Sequence, residues 1–142
     1  MGKITIFLRN SYLLQNKRME IPAQYNRLMP YLIVPAADRF IDFMQTVFGA
    51  TVQLIVPRSE GVIMHGELRI GESVIMFADK TAAIAARPAG IFIYVENVDE
   101  TYAKALAAGA SSAMLPTTMD YGYTCGFKDV FGNDWWPVQA GK

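Results

Sequence analysis

The sequence contains one histidine, one cysteine and no excess of charge of either sign. Thirteen basic and thirteen acidic residues give a formal net charge of zero at pH 7. Nucleic-acid-binding proteins normally carry a basic patch or stripe, so we predict that nucleic acid is not a partner. The lone Cys125 cannot form an internal disulfide, and this favours a reducing, cytoplasmic location.

Long apolar runs are also absent. No stretch of eighteen consecutive apolar residues occurs, so we expect no membrane-spanning helix. The first residues contain a short apolar patch that Arg9 interrupts, and they lack the continuous apolar region and the small-residue cleavage site of a signal peptide. We assign residues 1–28 to an N-terminal extension, whose role as an edge strand, a dimer contact or a frayed tail stays open.

The sequence does contain enough apolar material for one packed domain. Its 142 residues are 52% hydrophobic and 18% charged, which is typical of a globular chain. Eight methionines and an aromatic content of 12% favour an adaptable apolar interior or pocket.

From residue 29 onward, the pattern predicts the order β-α-β-β-β. Tyr31–Val34 is a short apolar strand, and apolar residues at helical spacing follow it as far as Gly49, which is suited to end a helix. Thr51–Val56 is a second strand. Gly61–Phe77 reads as two strands joined by a tight turn at Gly71.

The same order returns in the second half of the chain. Ile91–Val95 is again a short apolar strand, and Asn97 is suited to cap the helix that follows. The remaining strands are predicted at Ser112–Leu115, Tyr121–Lys128 and Trp135–Val138. A polar loop that opens at Pro116 is predicted to end the first of these three strands.

Self-similarity of this kind indicates a duplicated module. We predict an α+β fold in which two βαβββ modules form a curved mixed sheet around a cavity, with the helices on the outside. The modules are assigned to residues 29–80 and 90–140 of a single domain, residues 29–140. The alternative is a generic α+β domain whose two halves are alike by chance.

Alternation along the strands of Gly61–Phe77 separates a polar face from an apolar one. This pattern is typical of a sheet that packs on helices at its back and is open to a ligand or to water in front. The front face takes His65, Glu67 and Arg69, and the back face takes Met64, Leu68 and Ile70.

Several stretches carry a family signature, namely Ile21–Pro22 with Pro30–Val34, Phe43–Ala50, His65–Gly71 and Lys128–Trp135. They resemble the vicinal oxygen chelate superfamily of glyoxalases, bleomycin resistance proteins and extradiol dioxygenases, and in particular its PhnB-like subgroup. The resemblance covers about residues 20–139 and implies the two-module fold described above. Because one fold serves many chemistries, the site has to decide the function.

The resemblance also bears on metal binding. Metal-using members typically carry a histidine or glutamine opening the first strand, a glutamate late in the first module, a histidine opening the fifth strand and a glutamate in the last. Three of these positions fall here on Met29 or Pro30, on Gly90 and on Trp136, none of which supplies such a ligand. The resemblance therefore implies no metal and no other cofactor, and it argues against glyoxalase-type isomerisation and ring-cleaving dioxygenation.

His65 and Glu67 are the candidate catalytic pair, because alternate residues of one strand share a face. His65 would titrate near neutrality as an acid or base in a cavity, with Glu67 orienting it or a substrate. Two alternatives stay open. One is a structural histidine, hydrogen-bonded to a neighbouring strand or to a dimer partner, and the other is a relocated metal site without an identifiable third ligand.

Four further residues are candidate ligand contacts. Trp136 would wall the cavity and stack on a flat or cationic ligand, unless its ring is simply part of the core. Tyr121 and Tyr123 flank a glycine-containing loop and would close over a ligand, or they are half-buried strand residues. Met76, in the second strand of the hairpin, is grouped with them.

Cys125, Asp129 and Asn133 are expected to have structural roles. Cys125 shares strand parity with Phe127 on the helix-packing side, which predicts a buried, inert thiol rather than a nucleophile. Asp129 and Asn133 bracket the last turn and are suited to form it.

The sequence therefore predicts a cytoplasmic homodimer that binds a small, aromatic or amphipathic molecule in a cavity, with the inherited metal site lost. The alternative is a metal-dependent lyase, isomerase or dioxygenase that uses His65 and Glu67. A third hypothesis is an interaction module in which the cavity is collapsed.

Overall fold

The computed structural model describes residues 20–141, and the part of the predicted N-terminal extension before Glu20 lies outside the described residues. The first module contains one helix and four strands in the predicted order. They are β1 (Tyr31–Val34), α1 (Ala37–Phe48), β2 (Thr51–Ser59), β3 (Val62–Ile70) and β4 (Ser73–Asp79).

The second module repeats this order. Its elements are β5 (Gly90–Val95), α2 (Val98–Ala107), β6 (Ser111–Met119), β7 (Gly122–Lys128) and β8 (Asp134–Gln139). The predicted α+β class and the two βαβββ modules are therefore confirmed. Across residues 20–141, no helix has the length and apolar character needed to cross a membrane.

Each module forms its own four-stranded mixed sheet. In the first sheet, β1 lies parallel to β4, and β3 and β2 follow in antiparallel pairs. In the second sheet, β5, β8, β7 and β6 take the same arrangement. No strand within residues 20–141 pairs across the two sheets, so what was predicted as one curved sheet is present as two.

Helix α1 is shared by the two modules. Its Phe40 ring packs edge-on against Phe77 of β4 at a centroid distance of 5.3 Å, and against Phe131 between β7 and β8 at 5.5 Å. Phe48, at the end of the same helix, lies 4.6 Å from the ring of Trp135 in β8. Aromatic side chains of both modules cover one face of α1, so this helix joins the modules. Asp38, Arg39 and Asp42 on its other face are exposed, as expected for a helix on the outside of the sheets.

The two helices begin in equivalent ways. The Ala37 amide at the start of α1 donates to Asp79 Oδ1 at 2.7 Å, and the other oxygen of Asp79 accepts from the Ile63 amide at 2.7 Å. In the second module, the Val98 amide donates to Gln139 Oε1 at 3.0 Å. Asp79 is the last residue of β4, which is parallel to β1, and Gln139 is the last residue of β8, which is parallel to β5. In each module, the side chain at this position therefore accepts from the first amide of the helix, which has no acceptor within the helix.

A β-bulge changes the predicted face of one residue. Val56 pairs with His65 and Pro57 pairs with Ile63, which makes Met64 the extra residue on β3. A bulge of this kind reverses the alternation of faces on its far side. Ile63 therefore enters the core and Met64, which was predicted to face the helices, is exposed.

Two strands continue through prolines and beyond their predicted ends at Val56 and Leu115. β2 includes Pro57 and β6 includes Pro116, and each proline lies within a shift of the strand register. β2 and β6 are the edge strands of their sheets. A proline is tolerated there because one side of an edge strand has no neighbour to which an amide must donate.

Asp129 and Asn133 form the last turn, as predicted. Asp129 Oδ1 accepts hydrogen bonds from the amides of Phe131 and Asn133, both at 2.9 Å. Its other oxygen accepts from the Asn133 side chain at 3.0 Å and from Trp135 Nε1 at 2.8 Å. Asn133 Oδ1 accepts from the Ala89 amide at 3.0 Å, which fastens the link between the modules to this turn.

Gly66 provides a test of the core packing. A Cβ atom added at Gly66 would lie 2.3–2.7 Å from ring carbons of Phe77, whose side chain is fully buried. We expect Gly66→Ala to lower the free energy of unfolding, measured by urea denaturation, by about 1–3 kcal/mol. Gly90→Ala is the matched control, because an added Cβ there meets nothing within 4 Å, and we expect a change of about 0.5 kcal/mol or less. Equal losses in the two variants would contradict this packing.

Candidate functional site

The open face of each sheet is defined here as the face turned away from the helices. On β3, Leu68 belongs to the core, and His65, Glu67 and Arg69 lie on the open face, as predicted. Met76 of β4 is the register partner of both Tyr31 and Glu67, so it lies on the same face. The structure therefore brings Met76 next to the predicted His65–Glu67 pair.

Glu67 is the centre of this open face. Its side chain is 1% exposed, and its carboxylate is surrounded by three side chains. The Tyr25 hydroxyl lies 3.0 Å from both carboxylate oxygens. Gln53 Nε2 donates to Oε1 at 3.0 Å, and His65 Nε2 lies 2.8 Å from Oε2. Burying a carboxylate is costly unless its oxygens are paired, and these donors provide that pairing.

His65 links Glu67 to the surface. Its Nε2 atom carries a proton, because the deprotonated carboxylate that it contacts can only accept a hydrogen bond. In the neutral ring, Nδ1 is then an acceptor, and the Tyr31 hydroxyl lies 3.1 Å from it. Tyr31 is 50% exposed. The chain Tyr31–His65–Glu67 thus runs from solvent to a buried carboxylate.

A second layer of side chains holds Gln53 in place. Arg69 donates from Nε and Nη2 to Gln53 Oε1 at 3.1 and 2.7 Å. The arginine side chain can donate hydrogen bonds but cannot accept them. It therefore orients the Gln53 amide with the oxygen toward Arg69 and the NH₂ group toward Glu67. Arg69 Nη2 also donates to the backbone oxygen of Gln24 at 2.7 Å.

The network sets the ionisation of Glu67. Burial alone would raise the pKa of its carboxyl, but hydrogen bonds from Gln53, His65 and Tyr25 outweigh burial and lower the pKa below its ordinary value. The contact with this carboxylate raises the pKa of the Tyr25 hydroxyl, because the hydrogen bond favours the protonated phenol. Glu67 is thus an anion at neutral pH, and Tyr25 is a donor.

Trp135 and Trp136 send their rings to opposite faces, as neighbouring residues of a strand do. Trp135 is 1% exposed and belongs to the core. Trp136 is 39% exposed, and its ring covers Gly126, where an added Cβ would lie 2.4 Å from a ring carbon. Its register partner is Phe92 of β5, so both lie on the open face of the second sheet. Trp136 is therefore not on the same sheet as His65 and Glu67.

The two candidate tyrosines lie elsewhere. Tyr121 and Tyr123 line a cavity of about 570 Å³ together with Asn97 and Asp99. The Tyr123 hydroxyl donates to Asp99 Oδ1 at 2.7 Å, and this contact raises the pKa of the tyrosine. Neither residue hydrogen-bonds to the Glu67 network among the contacts of residues 20–141.

Cys125 is buried in the core, as predicted, and burial raises the pKa of its thiol to about 11. A thiolate is the nucleophilic form of cysteine, and at neutral pH this thiol stays protonated. Cys125 is therefore an inert core residue.

Three residues of the network were not predicted from the sequence, namely Tyr25, Tyr31 and Gln53. Two of them left a signal, because Tyr31 alternates with the buried Leu32, and Gln53 is a polar residue within an otherwise apolar strand start. Tyr25 left no local signal, since it precedes β1 and meets Glu67 over a separation of 42 residues.

Comparison with known proteins identifies the family. The profile of the Glyoxalase/Bleomycin resistance protein/Dioxygenase superfamily matches residues 24–136. This chain belongs to that superfamily. The resemblance found in the sequence motifs is thereby confirmed, and the same two-module architecture recurs in solved structures.

Three relatives illustrate the superfamily. An uncharacterized protein of Mycobacterium bovis is 29% identical over 120 residues, which cover 76% of this chain and 79% of that protein. The PhnB protein of Bacillus cereus has a TM-score of 0.67 at 15% identity, covering 81% of this chain and 100% of that chain. TnmS3, an antibiotic binding protein from Streptomyces sp. CB03234, has a TM-score of 0.65 at 17% identity, covering 86% and 98%. At these identities the two structures are similar in fold.

The side chains present do not fit the metal used by metal-dependent superfamily members. Within residues 20–141, no three His, Cys, Asp or Glu side chains come together as a potential metal site. His65 and Glu67 supply two donor groups, and the oxygens of Glu67 already accept from three side chains. A divalent cation needs at least three protein or substrate donors in a defined geometry, which this pair does not provide.

The lowered pKa of Glu67 predicts a specific loss of stability in acid. A carboxylate with a depressed pKa in the folded state stabilises the fold above its unfolded pKa of about 4.3, and this stabilisation is lost as the pH falls through the folded value. We expect the free energy of unfolding, measured with urea at a series of pH values, to fall more steeply below about pH 5 in the wild type than in Glu67→Gln. Parallel curves for the two proteins would show that this carboxylate does not govern acid stability.

Proposed function

We propose that this superfamily member is a cytoplasmic homodimer that binds a small, aromatic or amphipathic molecule, without a metal ion. The polar part of the ligand lies against the His65–Glu67 pair and Met76, and its apolar part lies against Trp136. One copy contributes the open face of the first sheet, and a second copy contributes the open face of the second sheet.

The observation that carries this proposal is the buried, preorganised carboxylate of Glu67. Hydrogen bonds fix its orientation, and a fixed anion beside a half-exposed histidine and tyrosine suits recognition of a polar group. Ligand sites commonly combine a few oriented polar groups with apolar walls. The exposed apolar side chains next to this network supply the second ingredient.

The exposed aromatic residues support the dimer. Tyr31 on the first sheet is 50% exposed, and Phe92 and Trp136 on the second sheet are 52% and 39% exposed. Large apolar patches of this kind on a sheet face usually mark an interaction or ligand site. Within residues 20–141 these aromatic side chains stay partly exposed, whereas two copies related by a twofold axis would place the open faces opposite each other twice.

The relatives support the ligand class. TnmS3 is an antibiotic binding protein by name, and its fold matches 86% of this chain. Binding of an organic molecule by such a fold is therefore physically feasible, while the identity of the ligand depends on the side chains of this chain.

A metal-dependent reaction at the same site is the second candidate function. The 2.8 Å contact between His65 and Glu67 favours it, because a carboxylate that orients an imidazole is a common acid–base arrangement. Two features argue against it. Both ring nitrogens of His65 are already engaged, and the pair lacks a third metal-binding side chain among residues 20–141.

Native mass spectrometry of protein expressed with supplemented divalent metals tests the dimer and the absence of metal together. We expect a species with twice the chain mass of 15.8 kDa and no metal adduct after buffer exchange. A monomer as the sole species would refute the shared site. One divalent ion per chain that persists through buffer exchange would refute the metal-free site.

An aromatic, amphipathic probe tests the ligand site. We expect the neutral fluorescent probe N-phenyl-1-naphthylamine to bind the wild type with a rise in its own emission, and Trp136→Ala to raise the Kd about 2- to 10-fold, as the loss of an aromatic contact of about 0.5–1.5 kcal/mol implies. The matched control is Tyr121→Ala, which removes a similarly exposed aromatic ring from the separate cavity beside Asp99. Weaker binding in the Tyr121 variant alone would move the site to that cavity.

A further inference from the structure

The chain segment before β1 covers the candidate site. Residues 20–28, which we name the strap, contain a turn in which the Tyr25 amide donates to the Pro22 oxygen at 3.0 Å. The turn directs the Tyr25 side chain onto Glu67, with its hydroxyl 3.0 Å from both carboxylate oxygens. A phenol from the chain itself thus occupies the accessible side of the buried carboxylate.

The strap is held mainly by side chains. The Gln24 oxygen accepts from Arg69 Nη2 at 2.7 Å and from Gln53 Nε2 at 3.4 Å, and Asn26 Nδ2 donates to the Glu72 oxygen at 3.4 Å. The backbone hydrogen bonds of residues 20–141 include none that joins the strap to a strand. Most strap residues are exposed. A segment attached in this way can leave the sheet without breaking any strand pairing of residues 20–141.

We propose that the ligand of this site carries a neutral phenol-type hydroxyl, and that Tyr25 occupies the place of that hydroxyl on Glu67 until the ligand displaces the strap. This inference rests on the proposed function, because it names the chemical class of the ligand bound at the same site.

The hydrogen-bond inventory around Glu67 selects this class. Gln53 and His65 each occupy one oxygen and leave the position between the two oxygens to a single further donor. An ionised carboxylate accepts and does not donate, so it needs an O–H or N–H donor and repels a phenolate or a carboxylate ligand. The Tyr25 hydroxyl, 3.0 Å from both oxygens, shows that an O–H group fits this position. The space that the Tyr25 side chain vacates has by construction the shape of a phenol. A neutral phenol therefore satisfies both the charge and the shape of the site.

The test is a titration of 4-fluorophenol followed by ¹⁹F NMR, at neutral pH where this phenol is protonated. In the wild type, the probe has to replace the Tyr25 hydroxyl, whereas Tyr25→Phe removes the competing hydrogen bond and keeps the ring. We expect the Kd of 4-fluorophenol to be about tenfold lower, or lower still, in Tyr25→Phe, because hydrogen bonds to charged groups are among the strong ones. An unchanged or higher Kd in that variant would overturn the inference.

Two controls isolate the hydroxyl. 4-Fluoroanisole has the same ring with the O–H replaced by a methyl ether, and we expect it to gain nothing from Tyr25→Phe. Tyr121→Phe removes a hydroxyl from an exposed tyrosine that lies outside the Glu67 network, and we expect the Kd of 4-fluorophenol to stay at the wild-type value. An equal gain for the ether, or in the Tyr121 variant, would overturn the assignment to the phenol and Glu67.

Trypsin cleavage after Arg27, an exposed strap residue, provides a readout independent of affinity. Saturating 4-fluorophenol is expected to speed this cleavage in the wild type, because the displaced strap becomes a better substrate for trypsin. Saturating 4-fluoroanisole is expected to leave the cleavage rate unchanged. An unchanged rate with 4-fluorophenol would refute displacement of the strap. If N-phenyl-1-naphthylamine binding responds to Trp136→Ala but 4-fluorophenol does not bind Tyr25→Phe, the phenol assignment fails and the proposed function stands. If neither probe binds, both fail.

Discussion

A buried carboxylate is the constraint on which the candidate site depends. Glu67 is almost fully enclosed, and a charge in that position destabilises the fold unless donors surround it. The donors come from three separate parts of the chain: Gln53 on β2, His65 on β3 beside Glu67 itself, and Tyr25 in the strap. One glutamate therefore fixes the arrangement of the edge strand, the histidine and the segment before β1. The remaining polar groups of the open face, Arg69 among them, serve to hold these donors.

The two modules share their framework and differ on their open faces. In both modules, the helix begins with the same kind of hydrogen bond. Asp79 at the end of β4 and Gln139 at the end of β8 each accept from the first amide of the helix in their module. The open faces have diverged. The first sheet carries the charged network around Glu67, and the second carries exposed aromatic rings such as Phe92 and Trp136. Duplication thus preserved the contacts that fold each module and left the exposed positions free to specialise.

Most of the framework could be predicted from the sequence, because its signals are local. Gly49 adopts the left-handed conformation that ends α1, and Asn97 accepts from the Glu100 amide to cap α2, both within a few residues of the pattern that predicts them. The misses are non-local. The bulge at Met64 and the passage of β6 through Pro116 depend on which strand lies alongside.

The site could be predicted in part for the same reason. Strand alternation alone places His65 and Glu67 together, and it separates Trp135 from Trp136. Alternation does not reveal that the two open faces belong to different sheets, because that depends on how the modules pack. It also does not reveal Tyr25, whose contact with Glu67 spans 42 residues and involves no regular element.

The separation of the open faces has a consequence for selectivity. One face offers a fixed anion with few free acceptor positions, and the other offers exposed aromatic rings, so neither face alone matches both ends of an amphipathic molecule. A ligand that bridges them gains a hydrogen bond at one end and apolar burial at the other. A purely apolar molecule would leave the donors of the strap in place, and a purely polar one would leave the aromatic rings exposed. In the dimer that we propose, two sheets of opposite character would therefore favour a ligand that combines an aromatic body with a single polar hydrogen.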